Sequence, residues 1–218
     1  MSTFLQRFRS SLLSRGFTRA LTVSAGFTLT ELMVVITIMT LLTGVFLFQQ
    51  RQFDSTTLLR SLAYSVALSI REAQTYGTSV RSFETGMTTE FPAYGVYFDV
   101  TNDDEYILFA DVNDNGQYDA GEVVDNYTFQ GNYSISDICA TDGSELCGIT
   151  WMAVTFRRPN PDACIATSDP NMDDVCGASP SSPSPYSQGL VQIEGSGGVT
   201  RSVTVTPSGQ IAVGTVGS

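Results

Sequence analysis

From Phe27 to Phe48 the chain reads FTLTELMVVITIMTLLTGVFLF, apolar almost throughout and broken by one charge, Glu31. As a helix rising about 1.5 Å per residue, this run extends roughly 33 Å, close to the thickness of a bilayer core. Residues 49–76 contain neither Pro nor Gly. Within them Phe53, Leu58, Leu62, Val66, Ile70 and Ala73 recur at steps near three and four, which predicts one apolar stripe on a continuing helix. Arg51, Arg60, Arg71 and Glu72 fall mainly off that stripe, and Gly77 is placed to cap the end. The predicted helix thus runs from Phe27 to about Tyr76, apolar all round in its first half and on one face in its second.

Beyond Gly77 the pattern shortens to alternating runs. Strands are expected at 79–84, 94–100, 106–110, 123–129, 149–156, 190–194, 199–206 and 210–213. Turn-forming clusters separate them, such as Thr101-Asn102-Asp103-Asp104 and Pro207-Ser208-Gly209. One long helix followed by strands is the order of an α+β domain with an antiparallel sheet. Residues 130–148 and 160–188 read as long loops, the second carrying the Ser/Pro-rich stretch 179–185.

Charge changes the picture at the N-terminus. All eleven basic residues are Arg, and four of them (Arg7, Arg9, Arg15, Arg19) precede Gly26, where no acid occurs. Seven Arg then remain against 22 acids, a side-chain balance of −15. Arginines before an apolar run keep that end cytoplasmic and send the rest across the membrane. So acidic a remainder argues against nucleic acid as a partner, because phosphate binding draws on Lys and Arg. Four cysteines, Cys139, Cys147, Cys164 and Cys176, lie in the second half with no C-x-x-C pair and no His to complete a zinc set. Two disulfides are expected, which agrees with an oxidising, extracytoplasmic compartment. Three pairings are open; Cys139–Cys147 with Cys164–Cys176 is favoured because each bond closes a short polar loop.

Glu31 is the residue an ordinary membrane anchor does not explain. A carboxylate inside an apolar helix costs on the order of several kcal/mol unless it pairs or reaches the headgroups. A secretory signal peptide fits poorly, since the run is long and Gln49-Gln50-Arg51 follows it where a small-residue cut site belongs. Gly26-Phe27-Thr28-Leu29-Thr30-Glu31 after a basic leader resembles the processing signal of type IV pilins and type II secretion pseudopilins. The resemblance implies cleavage after Gly26 by a prepilin peptidase, N-methylation of Phe27 and placement of Glu31 fifth in the mature chain. It also implies assembly with other pilin or pseudopilin subunits on an inner-membrane platform, with Glu31 meeting the Phe27 amine of a neighbour. In a chain without Lys that amine is the only one left after cleavage. Many members carry a Pro near Phe48; here only Gly44 interrupts the run. Ser65–Gly77, Phe109-Ala110-Asp111 and Ser202–Val213 resemble the minor pilin and type H-like pseudopilin branch. The divisions expected are a leader at 1–26, a membrane or filament-core helix at 27–48, its amphipathic continuation at 49–77 and a β-rich domain at 78–218.

Between two expected strands, Asp111-Val-Asn113-Asp-Asn115-Gly116-Gln117-Tyr-Asp119-Ala-Gly-Glu122 matches the twelve-residue calcium-loop pattern. Asp111, Asn113, Asn115 and Asp119 would offer side-chain oxygens, Gln117 its carbonyl and Glu122 a bidentate clamp, with Gly116 at the sharp turn. An Asn/Asp/Gly-rich hairpin needing no Ca2+ is the competing account. Asn126-Tyr-Thr128 and Asn132-Tyr-Ser134 fit the short glycosylation pattern. No His, no G-x-S-x-G and no P-loop is present, so the expectation is a subunit and not an enzyme. The alternative function is a tethered or filament-tip binding module, an adhesin or substrate receptor using the two long loops. Arg157 and Arg158 are the residues through which a local nucleic-acid patch would have to form.

Overall fold

The computed structural model describes residues 26–85, 88–169, 176, 186–195 and 197–215. The basic leader and the Ser/Pro-rich stretch 179–185 lie outside the described residues. Among the described residues one helix, α1 (Leu29–Thr78), is followed by twelve strands, an α+β order. The chain divides into two compact units, residues 1–45 and 46–218, so α1 contributes to both.

In the first unit the apolar run is exposed on every side. Leu29–Phe48 is long and apolar enough to cross a membrane, with mean hydropathy 2.2 and nothing buried. Its threonines show how such a helix hides polar groups. Thr37 Oγ1 donates to the carbonyls of Met33 (3.0 Å) and Val34 (2.8 Å), Thr40 Oγ1 to Ile36 (2.6 Å) and Thr43 Oγ1 to Met39 (2.7 Å). Each hydroxyl is satisfied within the helix, which suits an environment without water.

In the second unit the rest of α1 buries one face. Leu59, Ala63, Val66, Ile70 and Ala73 are fully buried. This corrects the expected stripe at one end, because Leu58 is 57% exposed and Leu59 takes the inward position. Steps of four, three, four and three from Leu59 run through Ala63 and Val66 to Ile70 and Ala73, so the expected stripe joins the buried face from Val66 onward. Gly77 also differs from expectation. It lies within the helix, and its role is close approach: a Cβ there would stand 2.2 Å from the Phe156 carbonyl oxygen.

Ten of the strands form two antiparallel five-stranded sheets. One has the order β5 (Val123–Thr128), β4 (Glu105–Asp111), β3 (Ala93–Asp99), β8 (Trp151–Phe156), β9 (Ala163–Thr167). The other runs β12 (Ile211–Gly214), β11 (Val199–Val205), β10 (Gln188–Gly195), β6 (Ser134–Asp142), β7 (Ser144–Cys147). A small hairpin, β1 (Phe83–Thr85) with β2 (Thr88–Glu90), stands in place of the single strand expected at 79–84. The helix stripe shares one core with Val96, Phe98 and Leu108 of the first sheet and Ile138, Val191 and Val203 of the second. Gln74 ties the helix to two turns, its Nε2 donating to the carbonyls of Pro161 (2.9 Å) and Gly209 (3.1 Å).

Both regions expected to be loops contain strands. Residues 134–147 form the β6–β7 hairpin, turning at Gly143, whose φ of 72° suits only Gly comfortably. Residues 163–167 form β9, paired along β8 from Met152–Thr167 to Phe156–Ala163. The disulfides are Cys139–Cys147 and Cys164–Cys176, the favoured pairing, but the first links directly opposed residues of a ladder and does not close a loop.

Candidate functional site

Two places carry the predicted chemistry. The first is the head of α1. Among the described residues nothing lies within 4 Å of where a Gly26 Cβ would be, and Phe27 is 80% exposed. Thr28 caps the helix: its Oγ1 accepts from the Glu31 amide at 3.2 Å and its carbonyl from Leu32 at 3.1 Å. Thr28-Leu29-Thr30-Glu31 is thus the opening of a capping box, a signal legible in the sequence that the reading above passed over. Glu31 sits in the first turn, where the helix dipole favours an anion, and its carboxylate meets no partner among the described residues. The helix therefore satisfies its threonines and leaves this one acid open.

The second place is the hairpin loop between β4 and β5. Its register is set by the flanking strands, Ala110 N donating to Glu122 O at 2.8 Å. Asp111 and Glu122 are only 1% and 6% exposed. Both turn inward and take the loop's own amides. Asp111 Oδ1 accepts from Asn115 N (3.0 Å) and Oδ2 from Gly116 N (2.9 Å). Glu122 Oε1 accepts from Val112 N (2.9 Å) and Oε2 from Asp119 N (3.0 Å). Asn113 and Asn115 accept from backbone amides two residues on, Asn115 and Gln117, and both donate Nδ2–H to Asp119 Oδ2 at 2.7 Å. The chain reverses through left-handed Asp114 (φ 65°) and Gly116 (φ 75°). Arg157, at the end of β8, pairs with Asp114 and lies 3.9 Å from Asp111.

All six predicted ligand residues are therefore in one loop, and their donor types suit a hard cation such as Ca2+. Among the described residues, the acidic or sulfur groups whose ligand atoms lie within 4.8 Å of one another are Asp137, Cys139 and Cys147, and that set is disabled by its disulfide. Asp111, Asp119 and Glu122 do not form such a set; Glu122 accepts from backbone amides and Asp119 Oδ2 from two side-chain amides. The loop is closed by its own hydrogen bonds.

No protein-family model, curated protein or solved structure matches the chain.

Burial pushes the Asp111 and Glu122 carboxyls above the ordinary carboxylate range, against the lowering effect of the amides that donate to them. A carboxyl whose pKa is raised by folding stabilises the fold below its unfolded value and loses that contribution as pH rises through the folded value. The thermal midpoint is accordingly expected to rise as pH falls from 7 towards the carboxylate range. Measured in about 1 M salt, where the Debye length is about 3 Å, the trend should persist after repulsion among surface acids is screened. A flat profile in high salt would contradict it.

Beside the loop is a cleft of about 370 Å³ lined by Phe91, Asp111, Asp114, Arg157 and Arg158 among others. Arg158 donates to the carbonyls of Phe91 (2.7 Å) and Ser79 (3.4 Å), and Arg157 to Asp114 (2.8 Å). The adjacent arginines are thus engaged by the domain itself.

Proposed function

We propose that the chain is a pilin-like or pseudopilin subunit, cut after Gly26, N-methylated at Phe27 and assembled into an extracytoplasmic filament. The observation that carries this reading is one open acid, Glu31, at the head of an exposed apolar helix whose threonines are satisfied internally. Cleavage before Phe27 creates a cation one turn from that acid, and pairing between copies removes the desolvation cost of both charges. The apolar span and two disulfides support a membrane-anchored precursor with its β-rich domain outside the cytoplasm. Partners on this reading are a prepilin peptidase with methyltransferase activity, an assembly platform, membrane lipid and further subunits. A display role for the domain has less support, since residues 134–147 form a hairpin where a free binding loop was expected. The test is mass spectrometry of the purified native protein. N-methyl-Phe27 is expected as the first residue, and Gly26→Val should leave the precursor uncut; a native protein beginning at Met1 would defeat the reading.

For the acidic loop we propose a structural role in which Ca2+ relieves the charge buried at Asp111 and Glu122. The donor types at every ligand position and the nearly complete burial of two carboxylates support it. Because the loop already satisfies itself, an ion has to displace hydrogen bonds, so binding is expected in the weak range of extracellular modules, about 10⁻⁴–10⁻³ M. Calorimetry on the full chain in detergent should show this heat, abolished by Glu122→Gln. Absence of heat at millimolar calcium would leave a metal-free hairpin.

A further inference from the structure

We propose that the Cys164–Cys176 disulfide is the latch of the acidic loop, so that the order of residues 111–122 depends on that bond. The outer face of the first sheet carries a small core of its own: Phe109, Ala153, Ala166 and Cys176 are buried, with Tyr97, Tyr118 and Trp151 packed around them. Two of these residues do not belong to the sheet. Tyr118 comes from the acidic loop and packs edge-on against Phe109 (5.8 Å between centroids) and at 5.2 Å from Tyr97. Cys176 comes from far along the chain and lies on the loop's turn. A Cβ on Gly116 would stand 2.3 Å from the Cys176 Cβ and 3.1 Å from its carbonyl carbon. The half-cystine thus fills the space that any side chain at Gly116 would need.

Among the described residues, Cys176 is tied to the sheet by its bond to Cys164 on β9, opposite Thr155 of β8. A small apolar side chain buries too little surface to order a chain segment alone, so the covalent tie supplies the position. The other disulfide differs. Cys139 and Cys147 are partners in the β6–β7 ladder, in the second sheet, where three further residue pairs keep the strands together without it. Breaking Cys164–Cys176 uncovers the turn at Gly116 and one side of the Tyr118 contact; breaking Cys139–Cys147 touches neither. An external dithiol would perform the reduction, passing two electrons and two protons to the pair and leaving as its own disulfide.

The loop's hydrogen-bonded amides report the state directly, and Trp151, the chain's one tryptophan, lies 6.0 Å from Tyr97. The experiment is hydrogen exchange and tryptophan emission on the full chain in detergent without calcium. It compares wild type, Cys164→Ser/Cys176→Ser and Cys139→Ser/Cys147→Ser. The amides of Asn115, Gly116 and Asp119 are expected to exchange about tenfold faster or more in the first double variant, with strand amides of β3 and β4 still protected and the emission of Trp151 altered. The second double variant should leave the loop at wild-type protection. Should the first variant fail to fold, wild type is titrated with dithiothreitol and its thiols mapped by mass: loop exchange must follow the appearance of Cys164 and Cys176 thiols. Unchanged loop protection after loss of that disulfide, or equal loosening on loss of either disulfide, would overturn the proposal. Because no calcium is present, the outcome does not depend on whether the loop binds it.

Discussion

Glu31→Ala is expected to leave the chain anchored and cut after Gly26 but to abolish filament assembly. The local work of Glu31 is small. Its backbone amide keeps the bond to Thr28 Oγ1 whatever the side chain, and the anion's interaction with the helix dipole contributes about 0.3–1 kcal/mol. Neither cutting nor the folding of residues 46–218, a separate compact unit, should suffer. Assembly is different on the proposed reading. Removing the acid strands the Phe27 amine of a neighbour in a medium that cannot solvate it, a loss of about 3–5 kcal/mol for a broken buried pair. Each 1.4 kcal/mol is tenfold in an equilibrium constant, so every addition step weakens by more than about a hundredfold. The measurement is filament yield by shearing and electron microscopy, alongside mass analysis for the cleaved N-terminus and a melting curve for the domain. Filaments at wild-type yield would show that Glu31 does nothing beyond capping its own helix.

Legibility in the sequence followed the length over which a signal repeats. The helix runs for fifty residues, so its end shifted only from Tyr76 to Thr78, and even the mistaken Leu58 lies beside the buried Leu59. Strands with clear alternation, such as β3, β4 and β8, fell where the pattern put them. β6 and β9 were missed because their composition misleads: Ser-Ile-Ser-Asp-Ile-Cys-Ala-Thr-Asp is mostly Ser, Thr and Asp, Ala-Cys-Ile-Ala-Thr is short and rich in small residues, and tertiary pairing with β10 and β8 decides them. The acidic loop shows the same division. Its residues and its Gly116 turn were readable from spacing. That Asp111 and Glu122 would face inward onto backbone amides was not, nor that Cys176 would cover Gly116, since these depend on where β8 and β9 bring Arg157 and Cys164.

Gly77→Ala is expected to lower the stability of the domain by about 3 kcal/mol, opposite in sign to the usual effect of this exchange. In an open helix Ala is favoured over Gly by about 1 kcal/mol. Here the added Cβ would lie 2.2 Å from the carbonyl oxygen of Phe156, 2.8 Å from its carbonyl carbon and 2.9 Å from its Cβ. Neither side can retreat. Phe156 is fully buried and paired on both flanks, with Tyr94 of β3 and Ala163 of β9. The helix is fixed by its buried stripe and by the two amide donations of Gln74 one turn earlier. The contact is to backbone, so no rotamer change absorbs it, and the helix end has to lift from β8. Gly44→Ala serves as the control, because nothing lies within 4 Å of a Cβ there and, as a change in the first unit, it should leave the unfolding of the domain unchanged. Denaturant unfolding of both variants in detergent, with disulfides intact, separates the cases. A Gly77→Ala chain as stable as wild type would mean that helix and sheet do not approach this closely, and would reduce Gly77 to the ordinary helix stop that the sequence alone suggested.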